Sequence, residues 1–164
     1  MTDELSNSLA SGPHALLAGL IGGWAGMTQT WFMPGELGDE SETTGTVRAV
    51  LDGRFVVHEY RGSLAGETME GRATLGFDIA ENRFVCAWID GVHNGTAILV
   101  SEGESGATDG ISVLGSYGGD DEPPWGWRTT FRGPSADELV ISHFNIPPGG
   151  DEFLGVETRY RRVD

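Results

Sequence analysis

Leu20-Ile21-Gly22-Gly23-Trp24-Ala25-Gly26 is the stretch that decides the fold. A short apolar run at helical spacing stops here, and a segment rich in Thr, Trp and Phe follows, from Trp24 to Met33. Glycine accepts backbone angles that a Cβ forbids, so Gly22-Gly23 allows a sharp turn and Gly22 is expected as the helix C-cap. Aromatic and β-branched residues favour strands, which makes Trp24 the start of β-structure and a plug at the closed end of a barrel. Upstream, Pro13 suits a first helical turn with Ser11 as its N-cap. Ala15, Leu16, Leu17, Leu20 and Ile21 then recur at helical spacing, predicting a short helix that covers one barrel end. Residues 1–12 are small and polar and are expected to be mobile. Residues 13–164 are then a single barrel domain.

Downstream the pattern is almost entirely strand. Pro34–Asp39 reads as a polar loop. Thr43–Leu51 and Arg54–Gly62 are β-rich runs joined by Asp52-Gly53, a strong hairpin signal. Met69, Gly71, Ala73, Leu75 and Phe77 alternate with Glu70, Arg72, Thr74 and Asp78, the period of a strand with one buried face. Further strands are expected at Arg83–Ile89, Thr96–Glu102, Ile111–Tyr117, Trp125–Arg132, Glu138–Ile146 and Glu152–Arg162. Gly103–Gly110, the acidic Gly118–Pro124 and Pro147-Pro148-Gly149-Gly150 connect the later ones.

About ten short strands joined by tight turns predict an all-β, antiparallel, up-and-down barrel with a short N-terminal helix; a sandwich is the alternative. Closure would pair the first strand with the last. Val156, Thr158, Tyr160 and Arg162 share a face, which lets Arg162 stack on Trp24.

Length and charge narrow the function. A chain of 164 residues is long enough for one domain with a core of its own. It carries a net charge of −15, and all ten of its basic residues are arginine. Phosphate backbones and anionic membranes need basic partners, so neither nucleic acid nor membrane is an expected partner. Ala15–Ile21 is too short for a membrane span and lacks the flanks of a signal peptide, which makes a cytoplasmic location the expectation. The single cysteine, Cys86, lies in an apolar strand and reads as a buried thiol.

Several segments together resemble a known family. Gly22-Gly23-Trp24-Ala25-Gly26, Gly53-Arg54-Phe55 with Glu59-Tyr60, Gly71 with Leu75-Gly76-Phe77-Asp78, Trp88-Ile89-Asp90 and Tyr160-Arg161-Arg162 resemble, in order and spacing, the bacterial domain of unknown function 1579. The resemblance runs from about Leu16 to Arg162. It implies a calycin-like barrel, the class of lipocalins, fatty-acid-binding proteins and nitrobindins, and leaves the activity open. Barrels of this class often associate through their outer walls, so a homodimer is compatible with it. Where the family pattern commonly has an apolar residue, this chain has His143.

Candidate site residues follow from the alternation. Val56, His58 and Tyr60 share one face, as do Ile141, His143 and Asn145; Glu59 falls opposite His58 and Tyr60. A lumenal His58 or His143, with Tyr60, would suit acid–base catalysis in an isomerase, cyclase or lyase. His143 as an iron ligand would suit a haem barrel like the nitrobindins. Each histidine also has a plain reading, hydrogen-bonded in the wall. His14, His58, His93 and His143 show no metal-ligand spacing, and no metal site is expected. Asp90-Gly91 reads as a turn.

Tryptophans carry the leading hypothesis. Five occur, all in or beside strands. Trp88 and Trp127, with Tyr60, His58, His143 and Asn145, are expected to line a lumen that holds a small apolar or aromatic ligand. The same rings would also serve as ordinary core. Trp24, Gly22 and Arg162 are assigned to structure, with ligand entry at the end opposite Trp24.

Overall fold

Among the described residues two helices, α1 (Asp3–Ser11) and α2 (Pro13–Ala18), precede ten strands. The strands are β1 (Gly22–Met33), β2 (Glu36–Val50), β3 (Phe55–Leu64), β4 (Glu67–Asp78), β5 (Arg83–Asp90), β6 (Leu99–Glu104), β7 (Ile111–Tyr117), β8 (Trp125–Ser135), β9 (Glu138–Ile146) and β10 (Phe153–Arg162). The computed structural model describes residues 2–106 and 110–163. Residues 107–109, part of the expected Gly103–Gly110 connection, and the two terminal residues lie outside them. Every strand pairs antiparallel with its sequence neighbours, and β1 pairs with β10, so the sheet closes into a barrel. The all-β, ten-stranded barrel expected from the sequence is the observed fold.

Closure rests on the predicted seam. Trp24 faces Arg162 and Thr28 faces Thr158 across β1–β10, and Thr28 faces toward β2 as well. Its hydroxyl lies 2.6 Å from that of Thr43 and 2.8 Å from that of Thr158, a buried ladder linking three strands. Inside, Leu75, Val56, Val113, Leu139 and Trp24 belong to one continuous apolar core with Leu17 and Leu20 of the helical segment. On β4, Met69, Ala73 and Leu75 are buried while Glu70 and Arg72 are exposed, as the alternation predicts.

The N-terminal expectations need correction. Asp3–Ser11 forms a helix, capped by the Thr2 hydroxyl and seated by the buried Leu5, where a mobile segment was expected. Gly12, not Ser11, is the N-cap of α2. Its end is closed at Gly19, whose N–H donates to Ala15 O at 3.1 Å, while Gly22 opens β1. The Leu20-Ile21 pair therefore belongs to a turn rather than to the helix.

The expected loop Pro34–Asp39 is also shorter than read. Pro34-Gly35 alone turns the chain, with Gly35 at φ 72°, and β2 begins at Glu36. Polar residues there face solvent on an outer wall, which a strand tolerates as readily as a loop does. Register shifts at Trp31 bend this hairpin. Among the described residues no helix is long and apolar enough to cross a membrane.

Candidate functional site

In an up-and-down barrel successive turns alternate between the two ends. α2, the Leu51–Arg54 turn and the β8–β9 turn occupy one end. The β1–β2, β3–β4, β5–β6, β7–β8 and β9–β10 connections occupy the other.

The first end is closed by Trp24. It is 2% exposed, and its indole N–H donates to Leu20 O at 3.0 Å. The Arg162 guanidinium lies 4.3 Å from the ring centroid and also donates to Ile21 O at 2.6 Å and Ala136 O at 3.0 Å. Gly22, Trp24 and Arg162 thus sit together at the closed end, with Tyr160, 6.2 Å from the Trp24 ring, between Trp24 and His58.

Further in, β3 turns His58 and Tyr60 toward the lumen and Glu59 outward, where Glu59 pairs with Arg72 and Arg48. His58 Nε2 lies 3.1 Å from the Tyr160 hydroxyl, and the His58 and Tyr60 rings are 5.1 Å apart. Gly45 and Gly71 flank Tyr60 in register. A Cβ at Gly71 would strike the Tyr60 hydroxyl, and one at Gly45 the Tyr160 hydroxyl and His58, so glycine makes room for these rings. Burial lowers the His58 pKa to about 4. It pushes the Tyr60 and Tyr160 hydroxyls up, with the Asp90 charge adding to the rise at Tyr60. These groups are therefore neutral at pH 7. Cys86 also faces the lumen, its thiol pushed up to about 12 by burial, a resting sulfur as expected.

Trp88 of β5, Trp127 of β8 and His143 of β9 meet at the next level. Their planes are near-parallel, with angles of 6–21° and centroids 5.2–5.6 Å apart, so the three rings form a triangle. The Trp88 N–H donates to the Tyr60 hydroxyl at 2.9 Å, and His143 Nδ1 lies 2.9 Å from the Thr129 hydroxyl. His143 keeps some free surface, which lines an internal cavity, yet protein surrounds it. Desolvation, helped by nearby His93 and His58, lowers its pKa to about 3. Trp127 is 5% exposed, and among the described residues its N–H meets no acceptor.

Two spaces adjoin this triangle. Below it, a cavity of about 40 Å³ bounded by His58, Tyr60, Tyr160 and His143 has room for a few waters. Above it, at the open end, a cleft of about 330 Å³ is lined by Trp31, Phe32, Trp88, Trp127, Tyr117 and Asn145 among others. The Tyr117 hydroxyl donates to Asn145 Oδ1 at 2.7 Å, fixing both at the rim. A porphyrin plane does not fit beside His143, because the inner cavity is far too small and indoles crowd the imidazole. Among the described residues no group of three potential metal ligands converges. A larger hollow of about 690 Å³ on the outer wall is floored by ions already paired with each other, Arg61 with Glu70 and Arg72 with Glu59.

Sequence reasoning missed two residues here. Asp90, read as a turn, does make one, but its side chain is fully buried. Oδ1 accepts from the N–H groups of Val92, His93 and Asn94 at 3.2, 2.6 and 3.1 Å, and Oδ2 engages His93 Nδ1. Burial alone would raise the Asp90 pKa; these bonds from His93 and Asn94 outweigh it and hold the carboxyl below its usual range. His93, considered in the sequence only for metal spacing, borders both the inner cavity and the cleft. The signal was available: Asp90 falls on the inward phase of Trp88, and Asp-x-x-His after a strand end is the spacing of a side-chain-capped turn.

Comparison with known proteins adds the family and the fold. No curated protein matches the chain. A crystal structure of Rv2717c from M. tuberculosis superposes with a TM-score of 0.62 at 14% identity, covering 93% of this chain and 98% of that one. At that identity the likeness speaks to the barrel alone. Residues 10–162 match the model of the protein family of unknown function DUF1579. With the match spanning nearly the whole barrel, the chain belongs to the DUF1579 family, as its glycine–tryptophan and terminal tyrosine–arginine segments suggested.

Proposed function

We propose that the protein binds a small, flat, largely apolar molecule in the cleft at its open end. The observation that supports this best is the parallel triangle of Trp88, Trp127 and His143 standing at the base of an aromatic-walled cleft of about 330 Å³. Parallel rings offer a flat molecule both apolar contact and offset stacking. The groups suited to acid–base work, His58, Tyr60 and His143, border a space that holds only a few waters, which favours binding over turnover at that level.

N-phenyl-1-naphthylamine, a neutral fluorophore of suitable size, tests the reading. Its emission should rise on mixing with the protein. Trp127→Ala should weaken binding at least about tenfold, the effect of losing one stacked, buried contact. Equal affinity for native protein and variant, with the fold intact, would overturn the cleft as the binding site. Native mass spectrometry of protein purified gently from its own host would identify a retained ligand directly.

A further inference from the structure

Resting on that reading, we propose that the Asp90–His93 pair is the polar end of the cleft and selects neutral ligands bearing an acidic O–H or N–H, of the phenol, enol or imide class. The pair is built as an oriented acceptor. The Asp90 carboxylate is held by three backbone N–H groups on one oxygen, and its other oxygen faces His93 Nδ1. A carboxylate accepts only, so Nδ1 carries a proton, and in the tautomer this fixes, the free Nε2 is a lone pair able to accept.

Position gives this acceptor its use. The His93 ring packs on Trp88 at 5.6 Å and Trp127 at 6.1 Å, at the junction of the inner cavity and the cleft. A flat ligand lying along the triangle therefore brings an edge group to His93. The other titratable groups near the pair are Tyr60, whose hydroxyl faces Asp90 from β3, and His143 from β9, both neutral at pH 7. Tyr117 on β7 is committed to Asn145.

Charge defines the class further. Among the described residues no arginine lines the cleft or the cavity, and the chain has no lysine. A carboxylate or phosphate would enter without a counter-ion, near Asp90, in a protein of net charge −15. An uncharged donor meets no such cost.

Calorimetric titration at pH 8 with three naphthalenes tests this: 2-naphthol, its methyl ether 2-methoxynaphthalene, and 2-naphthoate. Native protein should bind the naphthol about tenfold more tightly than the ether, the worth of one buried hydrogen bond, and the naphthoate more weakly than either. In His93→Phe the naphthol should bind no more tightly than the ether does to the same variant. Equal affinity of naphthol and ether for native protein would overturn the proposed class while leaving the cleft intact, and that comparison needs no variant. A naphthol preference that survives in folded His93→Phe would also overturn it. Failure of all three probes to bind would instead count against the cleft itself.

Discussion

Trp24 and Trp127 are both buried, both on strands and both facing the barrel interior, yet their surroundings differ in every other respect. Trp24 has its N–H satisfied by Leu20, a guanidinium over its ring and a helical segment packed beyond it. Trp127 has an N–H with no acceptor, neighbouring rings in parallel and a cleft at its side. At the closed end the Trp24 donor is matched, as in a core that serves stability. At the other end the unmatched Trp127 N–H and open volume coexist, a combination that costs stability and suits the proposed binding site.

The harshest way to break the comparison is Trp24→Ala. Removing a fully buried indole from the closed end should cost about 3–5 kcal/mol and lower the thermal midpoint by many degrees. A loss under about 1 kcal/mol would mean that the plug is not a plug.

Acid is the next largest perturbation, and it acts inside the open half. His58 and His143 have folded pKa values lowered to about 4 and about 3, so the unfolded chain binds more protons below neutrality. Their contribution is complete above an ordinary histidine pKa of about 6.5 and is lost as pH falls through the folded values. Urea unfolding should show roughly 2 kcal/mol lost per histidine between pH 7 and pH 5. His143→Phe should remove its share of that slope, and an unchanged slope would contradict the burial argument.

A finer comparison exchanges only the N–H group. Trp24→Phe loses a satisfied bond as well as packing and should cost about 1–3 kcal/mol. Trp127→Phe removes a donor that has no acceptor, which offsets the lost packing, so its cost should be smaller by about 1 kcal/mol or more. Equal costs would erase the distinction between the two ends. Smallest of all, Glu59→Gln acts on an exposed outer-wall ion pair and should leave both unfolding and probe binding unchanged.

How much of this the sequence carried depends on how local the cause is. The Gly-Gly-Trp turn, the alternation on β4 and the shared face of Thr158, Tyr160 and Arg162 are local patterns, and they led to a closed barrel with its seam in place. Asp3–Ser11 escaped because it is polar and buries only Leu5; its cap and its packing on α2, not an apolar stripe, define it. Pro34–Asp39 escaped because charged residues on an outer wall look like a loop.

At the site, alternation put His58 with Tyr60 and His143 with Asn145 on shared faces but left open which way the histidines point; the structure turns both inward. That Trp88 on β5 would meet Trp127 and His143 on β8 and β9 depends on curvature around the whole sheet, which no local pattern encodes. Asp90 was legible as a turn; its partnership with His93 and their place between cavity and cleft were not, because these are set by where the β5–β6 connection folds over the barrel mouth.

The most direct test of the account follows the tryptophan indole N–H signals by NMR, assigned with Trp→Phe variants, as 2-naphthol is added. Trp88 and Trp127 should shift in a saturable way while Trp24, at the closed end, stays fixed. Signals that all remain in place, or a shift at Trp24 with none at Trp127, would contradict the assignment of binding to the open end.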